Sequence, residues 1–209
     1  MPTIRRLTDS CLVVTTDDAV NLFDPGFFTF ESREVDLDSI GEVSRVLITH
    51  EHRDHVHPAF VRWLLDRRSD LVVHSNRAVV DLLAGEEIQA TTDTPRRVSV
   101  EDVAHETLPN GAAPPNRAFT IEGVFTHPGD SYQPISAAPV MALPLITPWG
   151  SATQAVEFAG RLAPDQVVPI HDFYLSSSGR RWINDIVTGA LEAKGVELVP
   201  LDWGESFTI

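Results

Sequence analysis

Cysteine is almost absent from this chain of 209 residues, in which Cys11 is the single example. One cysteine cannot form an intramolecular disulfide, and it cannot supply the set of thiolates that a structural zinc site of the zinc-finger type requires. A zinc site in this protein would therefore have to be built from histidine and carboxylate ligands.

Long apolar segments and an excess of basic charge are also missing. No stretch reaches the roughly 18 consecutive apolar residues of a membrane span, and the first residues lack the apolar core of a signal peptide. The chain has 16 basic and 30 acidic residues, a formal charge of −14, which disfavours a nucleic-acid partner. The arginine pairs, such as Arg5 with Arg6, are isolated, and we expect them on the solvated surface. We expect a cytoplasmic protein with a small-molecule substrate, and the sequence does not indicate an oligomeric state.

The length suits one domain, residues 1–209, with a substantial core. Strands are predicted at 11–15, 19–23, 46–49, 71–74, 98–103, 118–122, 124–126, 140–146, 167–170, 198–201 and 206–209, with a proline-rich loop at 111–116. Helices are predicted at 58–68, between Asn76 and Gly85, from Ser151 to Leu162, and at 180–194. In the last helix, the apolar residues Trp182 and Ile186 are expected to face inward. The alternation of strands and helices favours an α/β arrangement.

The most specific motif follows the predicted strand at 46–49. His50, His52, Asp54 and His55 form the pattern H-x-H-x-D-H, and imidazole and carboxylate groups are ligands that zinc prefers. Neighbours on one helix face are three or four residues apart, whereas these are one or two apart, so the spacing favours a loop that leaves a strand. This arrangement could serve two cations side by side.

Four more candidate residues occur where other apolar segments end: Asp24, His105, Asp130 and His171. Strand ends gathered at one edge of a sheet are a common place for a rigid site. Two cations about 3.5–4 Å apart also need a shared anionic bridge. We therefore expect His105, Asp130 and His171 to complete the site that the motif begins.

Together, these residues resemble the metallo-β-lactamase superfamily of metal-dependent hydrolases. The resemblance is greater to its small ascorbate-6-phosphate-lactonase-like hydrolases than to true β-lactamases. The matching segments are Asp24-Pro25-Gly26, the H-x-H-x-D-H motif, His105, Gly129-Asp130-Ser131 and Pro169-Ile170-His171, in the family's order over most of the chain. The resemblance implies an α/β fold, a four-layer αββα sandwich of two mixed β-sheets with helices on the outer faces.

The resemblance also implies a binuclear site in which each cation has three ligands of its own: His50, His52 and His105 for one, and Asp54, His55 and His171 for the other. Asp130 would bridge the cations, and Asp24 would orient the ligands from behind. His127 is an alternative to His105, which we favour for its position along the chain. The implied cofactor is two divalent cations, with zinc expected and manganese or iron as alternatives.

The activity that the resemblance implies is hydrolysis of a small ester, lactone or phosphodiester by water that the two cations activate. Asp54 or Asp130 would orient this water, and Asp54 or His127 would give a proton to the leaving group. Aromatic side chains near the site are expected to contact the substrate: Trp149, Phe173 and Tyr174. The alternatives are a metal-binding protein of the same fold without hydrolytic activity and an iron-containing redox relative.

Overall fold

The chain forms twelve short β-strands in the computed structural model, which describes residues 1–209. The strands are β1 (Thr3–Arg6), β2 (Leu12–Thr15), β3 (Val20–Phe23), β4 (Arg45–Leu47), β5 (Val72–His74), β6 (Val98–Ala104), β7 (Pro115–Ile121), β8 (Phe125–His127), β9 (Val140–Pro144), β10 (Gln166–Ile170), β11 (Glu197–Leu198) and β12 (Ser206–Thr208). The helices are α1 (Phe27–Ser32), α2 (Pro58–Arg67), α3 (Arg77–Gly85), α4 (Ala152–Leu162) and α5 (Ser177–Glu192), with a 3-10 helix at Leu37–Ile40. None of these helices has the length and apolar character needed to cross a membrane.

The strands are arranged in two six-stranded sheets, in the orders β12-β1-β2-β3-β4-β5 and β11-β10-β9-β8-β7-β6. Each sheet is mixed. Strands β3, β4 and β5 are parallel in the first sheet, and β8 to β11 are parallel in the second. Strand β6 runs in the same direction as β8, because both are antiparallel to β7. The carboxyl ends of β6, β8, β9 and β10 therefore lie at one edge of their sheet.

Three apolar clusters separate four layers. Between the sheets, the Phe23 ring lies 6.2 Å from that of Phe119 and 5.7 Å from that of Phe125, within a cluster drawn from both sheets. A second cluster joins the outer face of the first sheet to the helical segments between Phe27 and Gly85, and a third joins the second sheet to α4 and α5. This arrangement confirms the predicted four-layer αββα sandwich.

Helix boundaries follow the polar side chains that cap them. The Asn76 side chain accepts a hydrogen bond from the Val79 amide at the start of α3, as predicted. Helix α5 begins before its predicted start at residue 180, because the Ser176 hydroxyl accepts a hydrogen bond from the Gly179 amide. Gly85 is the last residue of α3 and not a cap beyond it, and the left-handed conformation falls instead on Glu87.

Several predictions of local structure were wrong. The loop predicted at 111–116 is shorter, because β7 begins at Pro115, a residue that is tolerated at the first position of a strand. Strand β1 and helix α1 were not predicted. Trp182 and Ile186 are 64% and 52% exposed, although their apolar character suggested an inward orientation. Helix α5 packs on one face only, through Val187 and Leu191. Trp182 and Ile186 therefore lie on the outer side of the helix.

Candidate metal centre

The predicted ligands meet where strand ends of the two sheets come together. They form two groups: His50, His52, His105 and Asp130 in one, and Asp54, His55 and His171 in the other. In each group, the potential ligand atoms lie within 4.8 Å of one another. His50 to His55 follow β4 of the first sheet, whereas His105, Asp130 and His171 follow β6, β8 and β10 of the second. Each group thus contains residues from both sheets.

The loop after β4 packs tightly against the turn after β3. The Phe27 amide donates to the carbonyl of Arg53 at 2.8 Å, and the His57 amide donates to the carbonyl of Pro25 at 2.9 Å. Gly26 lies so close that a Cβ atom there would be 1.7 Å from the carbonyl oxygen of Asp54. The absence of a side chain at Gly26 is therefore what allows the two segments to approach.

Asp24 links this turn to the ligand loop. One carboxylate oxygen accepts a hydrogen bond from the Thr49 amide at 2.7 Å, and the other accepts from the Thr49 hydroxyl at 2.9 Å. His55 Nδ1 lies 2.7 Å from this second oxygen, so the ring donates its outer N–H to Asp24. The left-handed backbone of Asp24, φ 45°, directs the carboxylate to these partners. These contacts leave Nε2 of His55 facing the second group.

The outer ring nitrogens of two further histidines also have oxygen partners. His105 Nδ1 lies 2.5 Å from the carbonyl of Glu106, and His50 Nδ1 lies 3.0 Å from the Thr49 hydroxyl. A histidine whose outer nitrogen is held in this way keeps the lone pair of its other nitrogen for a cation. The orientation of these rings is therefore the one that metal-binding histidines normally adopt.

Asp130 lies between the two groups. Its Oδ1 is 2.6 Å from His171 Nε2 and 3.2 Å from His55 Nε2, while Oδ2 is 3.2 Å from His105 Nε2. The preceding Gly129 has φ 63° and no room for a Cβ atom, which would lie 2.1 Å from Asn116 Oδ1. The same Asn116 oxygen accepts a hydrogen bond from the Asp130 amide. The turn thus presents one carboxylate oxygen to each group.

Burial and neighbouring charges shift the pKa values of the clustered side chains in opposite directions. Burial lowers the pKa of His50 and of His52. Burial alone would also lower the pKa of His55, but the carboxylates of Asp130 and Asp24 outweigh it and hold that pKa well above the usual value. Burial would raise the pKa of Asp130, but His171 and His55 keep it well below its ordinary value.

The donor set fits divalent cations. Ring nitrogens face each other at 3.1 Å in the His50–His52 pair and at 3.0 Å in the His55–His171 pair. Such convergence of buried imidazoles around carboxylates brings together the ligands that zinc and similar cations prefer. A cation would also compensate the charge of buried Asp130, which is costly to bury without a partner.

His127 lies outside both groups. Its Nε2 donates to the carbonyl of Ser10 at 3.0 Å, and its Nδ1 accepts from the Gly129 amide at 3.1 Å. The fully buried ring stacks on Phe23 with a centroid distance of 5.1 Å. Because both ring nitrogens are occupied, His127 has no free position with which to bind a cation or give a proton to a substrate. These contacts favour a structural role for His127 over the catalytic role expected from the sequence.

The predicted aromatic residues surround the centre at different depths. Trp149 Nε1 donates to Asp130 Oδ2 at 2.9 Å, and its ring centroid is 5.5 Å from that of His105. Phe173 stacks between two rings that the sequence did not indicate, Phe28 at 4.2 Å and Trp203 at 5.6 Å. Tyr174 is mostly exposed, and burial of part of its ring together with the charge of nearby Asp54 raises the pKa of its hydroxyl.

Two polar residues near His171 were missed. Arg6 is only 1% exposed, contrary to the expectation of a solvated surface, and donates to Asp172 Oδ1 at 2.5 Å and to the carbonyl of Leu201 at 2.9 Å. Asp9, also buried, has φ 56° and accepts a hydrogen bond from the Phe173 amide at 3.2 Å. The only signal for Asp9 was its place in a polar run just before the predicted strand at 11–15.

Comparison with known proteins agrees with this geometry. Residues 3–171 match the family model described as the beta-lactamase superfamily domain. Protein Rv0786c of Mycobacterium tuberculosis is 26% identical over 186 residues, which are 82% of this chain and 84% of that protein. A proposed metal-dependent hydrolase from Parabacteroides distasonis superposes with a TM-score of 0.72 at 22% identity, covering 95% of this chain and 92% of that one.

Igni18, a metallo hydrolase from the archaeon Ignicoccus hospitalis, superposes with the same TM-score of 0.72 at 16% identity, covering 100% of this chain and 99% of that one. At this identity, the likeness shows the shared fold. The family match covers most of the sequence and includes every residue of both groups. The chain therefore belongs to the metallo-β-lactamase superfamily of metal-dependent hydrolases.

Proposed function

We propose that residues 1–209 form a single hydrolase domain that cleaves a small ester, lactone or phosphodiester. The domain would bind two divalent cations, with zinc as the first choice of metal. The position of Asp130 supports this most directly. Its two carboxylate oxygens face different histidine groups, at 2.6 Å from His171 Nε2 and 3.2 Å from His105 Nε2. A carboxylate placed in this way is the shared anionic ligand that a pair of adjacent cations requires.

The proposed ligands divide between the two groups, with Asp130 common to both: His50, His52 and His105 for the first cation, and Asp54, His55 and His171 for the second. In the second group, Asp24 fixes His55 through Nδ1. Such a carboxylate keeps a ligating histidine in the correct tautomer.

Two cations held by these ligands would lower the pKa of bound water towards neutral and would polarise a carbonyl or phosphoryl oxygen of the substrate. The Asp54 side chain is 22% exposed and lies 3.9 Å from His55 Nε2, so one carboxylate of the centre remains open to solvent. In this position Asp54 can orient water and pass a proton to a leaving group. Trp149, Phe173 and Tyr174 provide an aromatic boundary for the substrate.

The charge of the protein favours a small substrate. A formal charge of −14 opposes binding of a polyanion such as RNA. The rings of Phe28 and Phe173 instead offer apolar contact. Uncharged lactones and esters are therefore the first substrates to test, followed by a generic phosphodiester.

Metal analysis of Asp54→Asn and His55→Ala tests the proposal. We expect two equivalents of cation in the wild-type protein and one in each variant, with loss of hydrolysis of a panel of lactones, esters and a phosphodiester. His57→Gln is the matched control, because His57 follows the same motif but lies near Glu31, outside both groups. Retention of both cations by either variant would contradict the ligand assignment.

The same experiment separates the alternatives. The protein is loaded with zinc or with manganese for this test. If either form binds two equivalents of cation and neither hydrolyses any compound, the result would support a metal-binding protein of this fold that lacks hydrolytic activity. An iron content that exceeds zinc in the purified protein would favour a redox relative.

A further inference from the structure

Two buried polar atoms without hydrogen-bond partners face each other beside the centre. Asp9 Oδ2 and His171 Nδ1 both lack a partner, and they are 3.8 Å apart. Asp9 and His171 are each about 1% exposed, so solvent does not satisfy these atoms. An unsatisfied buried carboxylate oxygen is unfavourable, which points to a hydrogen-bond donor for this oxygen.

Three of the four other histidines of the two groups indicate which donor this is. His55 has Asp24 at Nδ1, His105 has the carbonyl of Glu106, and His50 has the hydroxyl of Thr49. A ligating histidine normally donates its outer N–H to such an oxygen. His171 is oriented in the same way, with Nε2 towards Asp130 and Nδ1 outward, and Asp9 Oδ2 is the carboxylate oxygen within 4 Å of that outer nitrogen.

We propose that Asp9 is a positioning residue for the centre, whose Oδ2 accepts the Nδ1–H of His171 and so holds that ring as a ligand of the second cation. This inference rests on the proposed two-cation function. Nδ1 of His171 must keep its proton when Nε2 binds a cation, so an acceptor at Nδ1 stabilises the ligating tautomer. Closure of the 3.8 Å gap to a hydrogen bond requires a movement of less than about 1 Å.

A purely structural role does not explain both carboxylate oxygens of Asp9. Oδ1 already accepts a hydrogen bond from the Phe173 amide, and the tight turn is closed by the Leu7 and Cys11 backbone. Asparagine would provide the same oxygen and also tolerates the left-handed conformation. A second carboxyl oxygen is needed only if it faces a donor, and His171 Nδ1 is the group that Oδ2 faces.

The test is competitive titration of the zinc-loaded full chain with a chromogenic chelator, comparing wild type, Asp9→Asn and Thr8→Val. Asp9→Asn should lower affinity for one zinc ion by about 10- to 100-fold and leave the other unchanged. Thr8→Val is the matched control, since it removes a buried hydroxyl of the same turn that bonds to Thr29. It should lower thermal stability without changing either affinity.

A second measurement does not depend on folding of a variant. A long-range proton–nitrogen NMR spectrum of the zinc-loaded wild-type protein should show His171 protonated at Nδ1, with slow exchange of that proton. Unchanged zinc affinities in folded Asp9→Asn, or an unprotonated Nδ1 in wild type, would overturn the role of Asp9. If wild type binds fewer than two zinc ions, the proposed function fails, and the role of Asp9 fails with it.

Discussion

Substitution of Gly26 by alanine should separate the two segments that hold the second group together. The backbone of Gly26 has φ −86°, which alanine adopts freely, so the restriction is purely steric. A Cβ atom would lie 1.7 Å from the Asp54 carbonyl oxygen, 2.3 Å from its carbonyl carbon and 3.0 Å from the His55 amide nitrogen. All three atoms belong to backbone, which cannot move aside as the end of a flexible side chain can.

The size of the effect follows from these distances. Contacts of real Cβ atoms stay above 3.0 Å, so the alanine must move the Asp54 carbonyl away by about 1.3 Å, the difference from 1.7 Å. Metal sites and catalytic groups tolerate displacements of roughly 0.5 Å, and a misplacement of about 1 Å costs about 100-fold in rate. Overpacking of this kind also destabilises a protein by about 1–3 kcal/mol.

The assay combines thermal unfolding, metal content and hydrolysis. We expect Gly26→Ala to unfold at a temperature roughly 2–12 °C lower, at about 2–4 °C per kcal/mol for a chain of this size, and to lose the cation that we propose Asp54 and His55 bind. Gly189→Ala is the control, because this exposed glycine of α5 has nothing within 4 Å of its Cβ position. It should stabilise the protein by about 0.5–1 kcal/mol. Wild-type stability and two bound cations in Gly26→Ala would refute the reasoning.

Three further substitutions or modifications test the surroundings of the centre. Cys11 is 1% exposed and burial raises the pKa of its thiol, so Ellman's reagent should not react with the folded protein and should titrate one thiol after denaturation. Arg6→Met should cost about 3–5 kcal/mol in urea unfolding, because it leaves buried Asp172 with only the longer contact to Arg180 at 4.0 Å, and addition of Asp172→Leu should recover most of that loss. Trp149→Phe should cost about 1.5–3 kcal/mol in the same assay, since it removes the hydrogen bond to Asp130 and part of the ring that packs on His105 and Tyr132, while Asp130 keeps its histidine contacts.

The grouping of the candidate ligands follows from signals that are local in the sequence, whereas the four-layer fold was implied by the resemblance to the family. The H-x-H-x-D-H motif, and the histidines and aspartate after later apolar segments, all lie at strand ends. Strands β6, β8 and β10 point in the same direction, so their carboxyl ends meet at one edge. Order along the chain also favoured His105 over His127, and His105 is the one that lies in the first group.

The errors concern residues whose partners are distant in the sequence. Arg6 seemed solvated because its partner, Asp172, lies 166 positions away, and no local pattern links them. Trp182 and Ile186 were expected in the core because they are apolar, but the face that a helix buries is decided by the element it packs against. The role proposed for Asp9 depends on its contact with His171. This contact forms only when the turn before β2 lies beside His171, which requires both sheets to be in place.

The two sheets each contribute ligands to both groups, and this affects how the protein would fold. A cation in either position would connect the first sheet, through the loop after β4, to the second sheet, through the ends of β6, β8 or β10. It would bind the docked sandwich and not the separated sheets, so its binding free energy would add to the stability of the sheet–sheet interface. Bound cations would therefore link the two sheets. Removal of the cations by a chelator should weaken the sheet–sheet interface before it affects either sheet, so that unfolding becomes less cooperative.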